Sequence, residues 1–118
     1  MTGAYSFVCR YSNTHALCTR LNEIGDWDWE IGDSHWYGDY LRCKPFEGVR
    51  IRIVDFPVQK PGMAEDEWEY EADIASSPPS PARKWTGRAA SASEIDAAFR
   101  KVLSEIPARD IKEIEWFD

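Results

Sequence analysis

The apolar positions of this chain change period several times, and each change marks an element. In AYSFVCRY (residues 4–11), Tyr5, Phe7, Cys9 and Tyr11 recur at every second position, the spacing of a strand with a buried face. Ser12 and Asn13 then offer a helix N-cap. Leu17, Cys18, Leu21 and Ile24 follow at helical spacing, and Gly25 stands where a helix would close. DWDWEI (26–31) alternates again, with Trp27, Trp29 and Ile31 on one side and Asp26, Asp28 and Glu30 on the other, so a strand is predicted there. Gly32, Asp33 and Ser34 are turn residues, and 36–44 returns as the second arm of a hairpin in which Gly38 suggests a bulge.

PFEG (45–48) predicts another turn. VRIRIVDF (49–56) reads as a strand, with Val49, Ile51 and Ile53 opposed to Arg50 and Arg52. A loop with Pro57 and Pro61 follows. EWEYEADI (67–74) alternates most cleanly, with Trp68, Tyr70, Ala72 and Ile74 inward and Glu67, Glu69, Glu71 and Asp73 outward. Residues 75–93 are a Pro/Ser-rich break carrying a short basic run, Arg83, Lys84 and Arg88, around Trp85. Ser91 and Glu94 fit a capping box. Behind it Ile95, Ala98, Phe99, Val102, Leu103 and Ile106 form one helical stripe, ended by Pro107. Residues 110–117 close as a last strand.

The order β-α-β-β-β-β-α-β predicts an α+β two-layer sandwich: a mostly antiparallel sheet of about six strands with two helices. It is a ferredoxin-like (split βαβ) plan with an extra hairpin between the helices. A length of 118 residues fits a single domain over 1–118, with the 75–93 loop inside it.

Composition narrows the function. The formal net charge of −7 disfavours direct nucleic-acid binding and anionic membrane surfaces, and favours encounter with a basic partner. Solubility alone also accounts for such a charge. Three cysteines, Cys9, Cys18 and Cys43, show neither CxxC spacing nor an even count, which predicts reduced thiols. With no signal-like N-terminus and no apolar run of the ~20 residues a spanning helix needs, the expected compartment is the cytoplasm.

Chemistry is hard to place. His15 and His35 are the only imidazoles, and a His35–Cys43 nucleophilic pair is formally possible but unsupported by spacing. Asp26, Asp28, Asp33 and His35 do not match an EF-hand loop, and a solvated acidic strand face accounts for them better. No phosphate-loop, dinucleotide, serine-hydrolase or HExxH zinc motif occurs. No catalytic residue, metal or cofactor is predicted.

Charge layout says more. Six acids and no Lys or Arg lie between Glu23 and Asp39, and six more between Glu65 and Asp73. Arg42, Lys44, Arg50, Arg52 and Lys60 separate the two runs, and Arg50 and Arg52 are placed to pair with acidic strands across the sheet. Those bases are too few, so a negative surface is expected to remain. Trp36, Tyr37 and Tyr40 cannot all be buried by alternation, and exposed Trp and Tyr are common interface anchors. The predicted partner-binding set is Asp26, Asp28, Glu30, Asp33, His35, Trp36, Asp39, Tyr40, Glu67, Glu69 and Glu71. The expected function is a small non-catalytic bacterial protein that neutralises a basic macromolecule, as an immunity protein does a toxin. The alternatives are a phage-type anti-defence inhibitor mimicking nucleic acid, and a small enzyme or anionic-ligand-binding domain using Arg83, Lys84 and Arg88.

Overall fold

A computed structural model describes residues 2–11, 13–25, 27–34, 38–45, 48–56, 62–64, 66–76 and 92–117. The elements are β1 (Thr2–Cys9), α1 (Thr14–Ile24), β2 (Glu30–Ser34), β3 (Gly38–Cys43), β4 (Val49–Phe56), β5 (Trp68–Ser76), α2 (Ala92–Glu105) and β6 (Arg109–Phe117). The strands form one sheet in the order β2-β3-β4-β5-β1-β6, and every neighbouring pair is antiparallel. The chain is therefore an α+β protein with the predicted element order. Helix α2 carries it from β5 to β6, on the two sides of β1, which is the split βαβ arrangement. The β2–β3 hairpin extends the sheet beyond β4, as an addition to that four-strand plan.

Register explains the core. Tyr5 lies opposite Ala72, Phe7 opposite Tyr70, Ile53 opposite both Ala72 and Leu41, and Ile51 opposite both Ile74 and Cys43. All of these side chains are buried. They form one cluster with Leu17, Cys18 and Leu21 of α1 and with Ile95, Phe99, Val102 and Leu103 of α2. Both helices thus cover the same face of the sheet. Tyr5 packs at 5.2 Å on Phe99 and Phe7 at 5.7 Å on Tyr70, so aromatic pairs tie sheet to helix and strand to strand. The other face carries Arg42, Arg50, Arg52, Glu69, Glu71 and Asp73, the polar half of each alternation.

Helix α1 begins and ends as its sequence implies. Asn13 Oδ1 accepts from the Ala16 N–H at 2.8 Å, and Gly25 (φ 82°) donates its N–H to Leu21 O at 3.4 Å. Three expectations need correction. Strand β1 stops at Cys9, short of Tyr11. The second strand starts at Glu30, not at Asp26, because the Asn22 side chain takes the backbone groups of Trp29. Its Oδ1 accepts from the Trp29 N–H at 2.8 Å, and its amide donates to the Trp29 carbonyl at 3.1 Å. A peptide engaged in this way is not available to a neighbouring strand. Finally, residues 32–34 are strand and not turn. Ser34 pairs with Gly38 in unbroken register, and Gly38 (φ 67°) takes the left-handed conformation that glycine accepts without strain. The predicted 75–93 loop, with Arg83, Lys84 and Arg88, lies almost wholly outside the described residues, as does Ser91 of the predicted capping box.

Candidate functional site

The hairpin is the region where sequence-predicted residues gather. Trp29 is buried beneath α1, and Trp27 is half-buried against the same core. This anchors the entry to β2 and leaves the alternating acids outside. Asp28, Glu30, Asp33 and Asp39 are all exposed. Glu30 is engaged by Arg42 at 3.3 Å, and Asp39 by His15 Nε2 at 2.8 Å, which joins α1 to β3. Among the described residues Asp28 and Asp33 meet no cation. Tyr40 lies across Gly32 on the neighbouring strand: a Cβ added at Gly32 would fall 2.5 Å from Tyr40 Cζ. The ring thereby covers the glycine and gains a fixed seat on the open sheet face. Asp26, His35 and Trp36 lie outside the described residues.

The second acidic run is arranged differently. Glu69 and Glu71 are half-buried on the open face, and Asp73 is clamped by Arg52 through two hydrogen bonds of 3.0 and 2.9 Å. Glu67 was expected to face outward and does not. It precedes β5 and is buried, with only 8% of its side chain exposed. Arg109 grips both carboxylate oxygens, the contact to Oε1 being 2.6 Å, and the Ala64 N–H donates to Oε1 at 2.8 Å. These donors stabilise the ionised form and hold the Glu67 carboxyl down at about 2, against burial, which acts the other way. Arg109 also donates to the Gly62 carbonyl, so this cluster ties residues 62–67 to β6. Glu67 is therefore a structural anion, removed from the accessible acidic set.

A similar closed cluster joins α2 to the sheet. The Tyr5 hydroxyl donates to Asp96, Arg100 bonds the same carboxylate at 3.0 Å and Glu113 at 3.1 Å, and the Arg100 guanidinium lies 5.6 Å from the Tyr5 ring centre. The three thiols are buried and raised in pKa, Cys9 to about 11, first of all by desolvation. Such thiols behave as small apolar groups and not as nucleophiles at neutral pH.

One feature was missed from the sequence. Arg42 lies opposite Arg52, with Lys44 just past the end of β3 and Arg50 two residues before Arg52 on β4. With Trp27, Asp28, Glu30 and Tyr40 they line an open groove of about 730 Å³ at the β3–β4 end of the sheet. The signal was present: two cations at alternate positions on each side of the 45–48 turn must meet when the strands pair antiparallel.

Among the described residues, no group of three or more His, Cys, Asp or Glu side chains is placed to hold a metal ion, and no helix is long and apolar enough to cross a membrane. Comparisons of the chain with models of known protein families, with curated proteins and with solved structures find no match.

Proposed function

We propose that this chain is a non-catalytic binding protein whose β2–β3 hairpin presents an acidic edge to a basic protein partner. The observation that supports the reading most directly is the state of Asp28 and Asp33, both exposed and neither met by a cation among the described residues. Glu30 and Asp39 add to the same hairpin, since the Arg42 ion pair of the first and the His15 contact of the second are exposed and weak enough for a partner's Arg or Lys to displace. Tyr40, seated on Gly32, supplies an ordered aromatic on the open face of the same hairpin. An edge of this kind steers a basic surface and fixes its approach more than it adds raw affinity. The role that suits it best is neutralisation of a basic enzyme by occluding its cleft, as an immunity protein does for a toxin in a bacterial cytoplasm.

The test is capture with a charge-reversed edge. Wild-type protein is expected to retain a basic protein from its native cells, with an on-rate that falls steeply as salt rises. The Asp28→Lys, Asp33→Lys variant should release the same protein. Retention unchanged by both the reversal and salt would defeat the proposal. Inhibition of the captured protein's activity by wild type alone would establish neutralisation.

A further inference from the structure

The groove on the open sheet face has the opposite character from the hairpin edge, and its charge is not balanced. Side chains directly opposite each other on antiparallel strands interact strongly, and like charges there are destabilising. Arg42 faces Arg52 in that way. This first rung is compensated at both ends, by Glu30 on β2 and Asp73 on β5, giving a row of acid, base, base, acid across four strands. The second rung is not. Continuing the same register sets Lys44 opposite Arg50, and the β5 neighbour of Arg50 is Ala75. Both cations are exposed, and no carboxylate pairs with either among the described residues. Among the described residues Lys44 and Arg50 thus stand as two adjacent cations without a carboxylate partner, beside the Glu30-paired Arg42, on the wall of this groove.

We infer that this groove binds the phosphate or diphosphate group of a small molecule, held between Lys44 and Arg50 with Arg42 beside them. A monocarboxylate needs one cation, whereas a phosphate dianion accepts several charge-assisted hydrogen bonds at once. Arg provides a planar fork for it and Lys a mobile point charge. The volume of about 730 Å³ also falls in the range of small-molecule sites. Trp27 and Tyr40 also line the groove and offer apolar surface to the non-phosphate part of the ligand. A long polyanion is disfavoured by the surroundings. Asp28 and Glu30 line the groove, and Glu69, Glu71 and Asp73 follow along the same open face, so an extended phosphodiester would leave the groove onto carboxylates.

The experiment is titration of the full chain with pyrophosphate, ADP and glucose 6-phosphate at constant ionic strength. It is followed by calorimetry and by amide chemical shifts. Saturable binding is expected, with the largest shifts at Arg42, Lys44 and Arg50. Binding should weaken about tenfold or more in the Lys44→Gln, Arg50→Gln variant, as expected for losing charge-assisted bonds. That variant should melt at or above the wild-type temperature, because a like-charge rung has been relieved, so lost binding will not reflect lost folding. Lys101→Gln, on α2 and outside the groove, should bind as wild type. ADP binding tighter than pyrophosphate would assign the Trp27 and Tyr40 surface to the ligand's ring, and equal affinities would assign the site to the phosphate alone. No saturable binding of any of the three would overturn the inference, as would affinity unchanged in the double variant. Preference for a single-stranded oligonucleotide over ADP would overturn its small-molecule part. These outcomes are read from phosphate titration and from the Lys44 and Arg50 variant, not from capture, and so stand apart from the acidic-edge test although Asp28, Glu30 and Tyr40 border both sites.

Discussion

The two ends of the sheet treat charge in opposite ways. At the β5–β1–β6 end charges are enclosed: Arg109 is absorbed by Glu67 and Asp110, and Arg100 by Asp96 and Glu113. At the β2–β3–β4 end charges are displayed. Among the described residues Asp28 and Asp33 are exposed without a cation partner and Lys44 and Arg50 without a carboxylate partner, Asp28 bordering the same groove as the two cations. The first pattern joins elements distant in sequence, and its loss would loosen the fold. The second joins nothing within the described molecule. The difference separates side chains that hold the structure from those left available for something outside it.

That contrast can be broken first in the core beneath the enclosed end. Phe99 is fully buried against Tyr5, and Phe99→Ala should destabilise the protein by about 3–5 kcal/mol, measured by chemical denaturation. The loss should be global, with exchange of β1, β5 and β6 amides accelerating together. A loss confined to α2 would show that this end does not unfold as one unit.

The Glu67–Arg109 cluster comes next. Because the folded carboxyl sits at about 2 against an ordinary 4.5, its contribution to stability is complete above pH 4.5. It fades as pH falls from 4.5 towards 2, where the folded carboxyl takes up its proton. Glu67→Gln should lower the melting temperature at neutral pH and flatten the acid limb of the wild-type profile over that window. Parallel acid limbs in the two proteins would show that other groups dominate. The third change is at the displayed end. Asn22→Ala removes both side-chain bonds to the Trp29 peptide and should cost about 1–2 kcal/mol. Exchange should rise at Trp29 and along β2 while β1 stays protected. Equal acceleration in β1 would erase the distinction between the two ends.

Much of this layout was legible in the residues. Period-two runs at 49–56 and 68–74 and the stripe from Ile95 to Ile106 appear as β4, β5 and α2, because a half-buried strand and an amphipathic helix impose those periods on their apolar positions. Asn13 and Gly25 bracket α1 for reasons local to the chain. What failed was set by contacts between distant residues. Alternation in DWDWEI predicts a strand from Asp26, but Asn22 claims the Trp29 backbone first. Glu67 continues the acid pattern of β5, yet Arg109, forty-two residues further on, draws it inward. The acidic hairpin was visible because its acids are adjacent in sequence. The basic groove was overlooked although its alternating cations stand in the sequence, because it is the antiparallel pairing of β3 and β4 that brings them together.

The strand order has a consequence for how the molecule comes to exist. Strand β1, made first, lies between β5 and β6, made last, and Thr2 pairs with Phe117. A ribosome delivering the chain from its N-terminus must therefore release residues 2–9 long before their partners arrive. During that interval both edges of a strand carrying Tyr5, Phe7 and Cys9 stay open. Contacts of such large sequence separation form slowly and leave apolar strand edges exposed to other chains. Helix α1 and the β2–β3–β4 meander can form early from local contacts, and so the hairpin and its charges can be in place before the sheet centre closes. Nascent chains halted before residue 109 should then carry a formed hairpin and an unprotected β1, the point at which this fold is most exposed to aggregation.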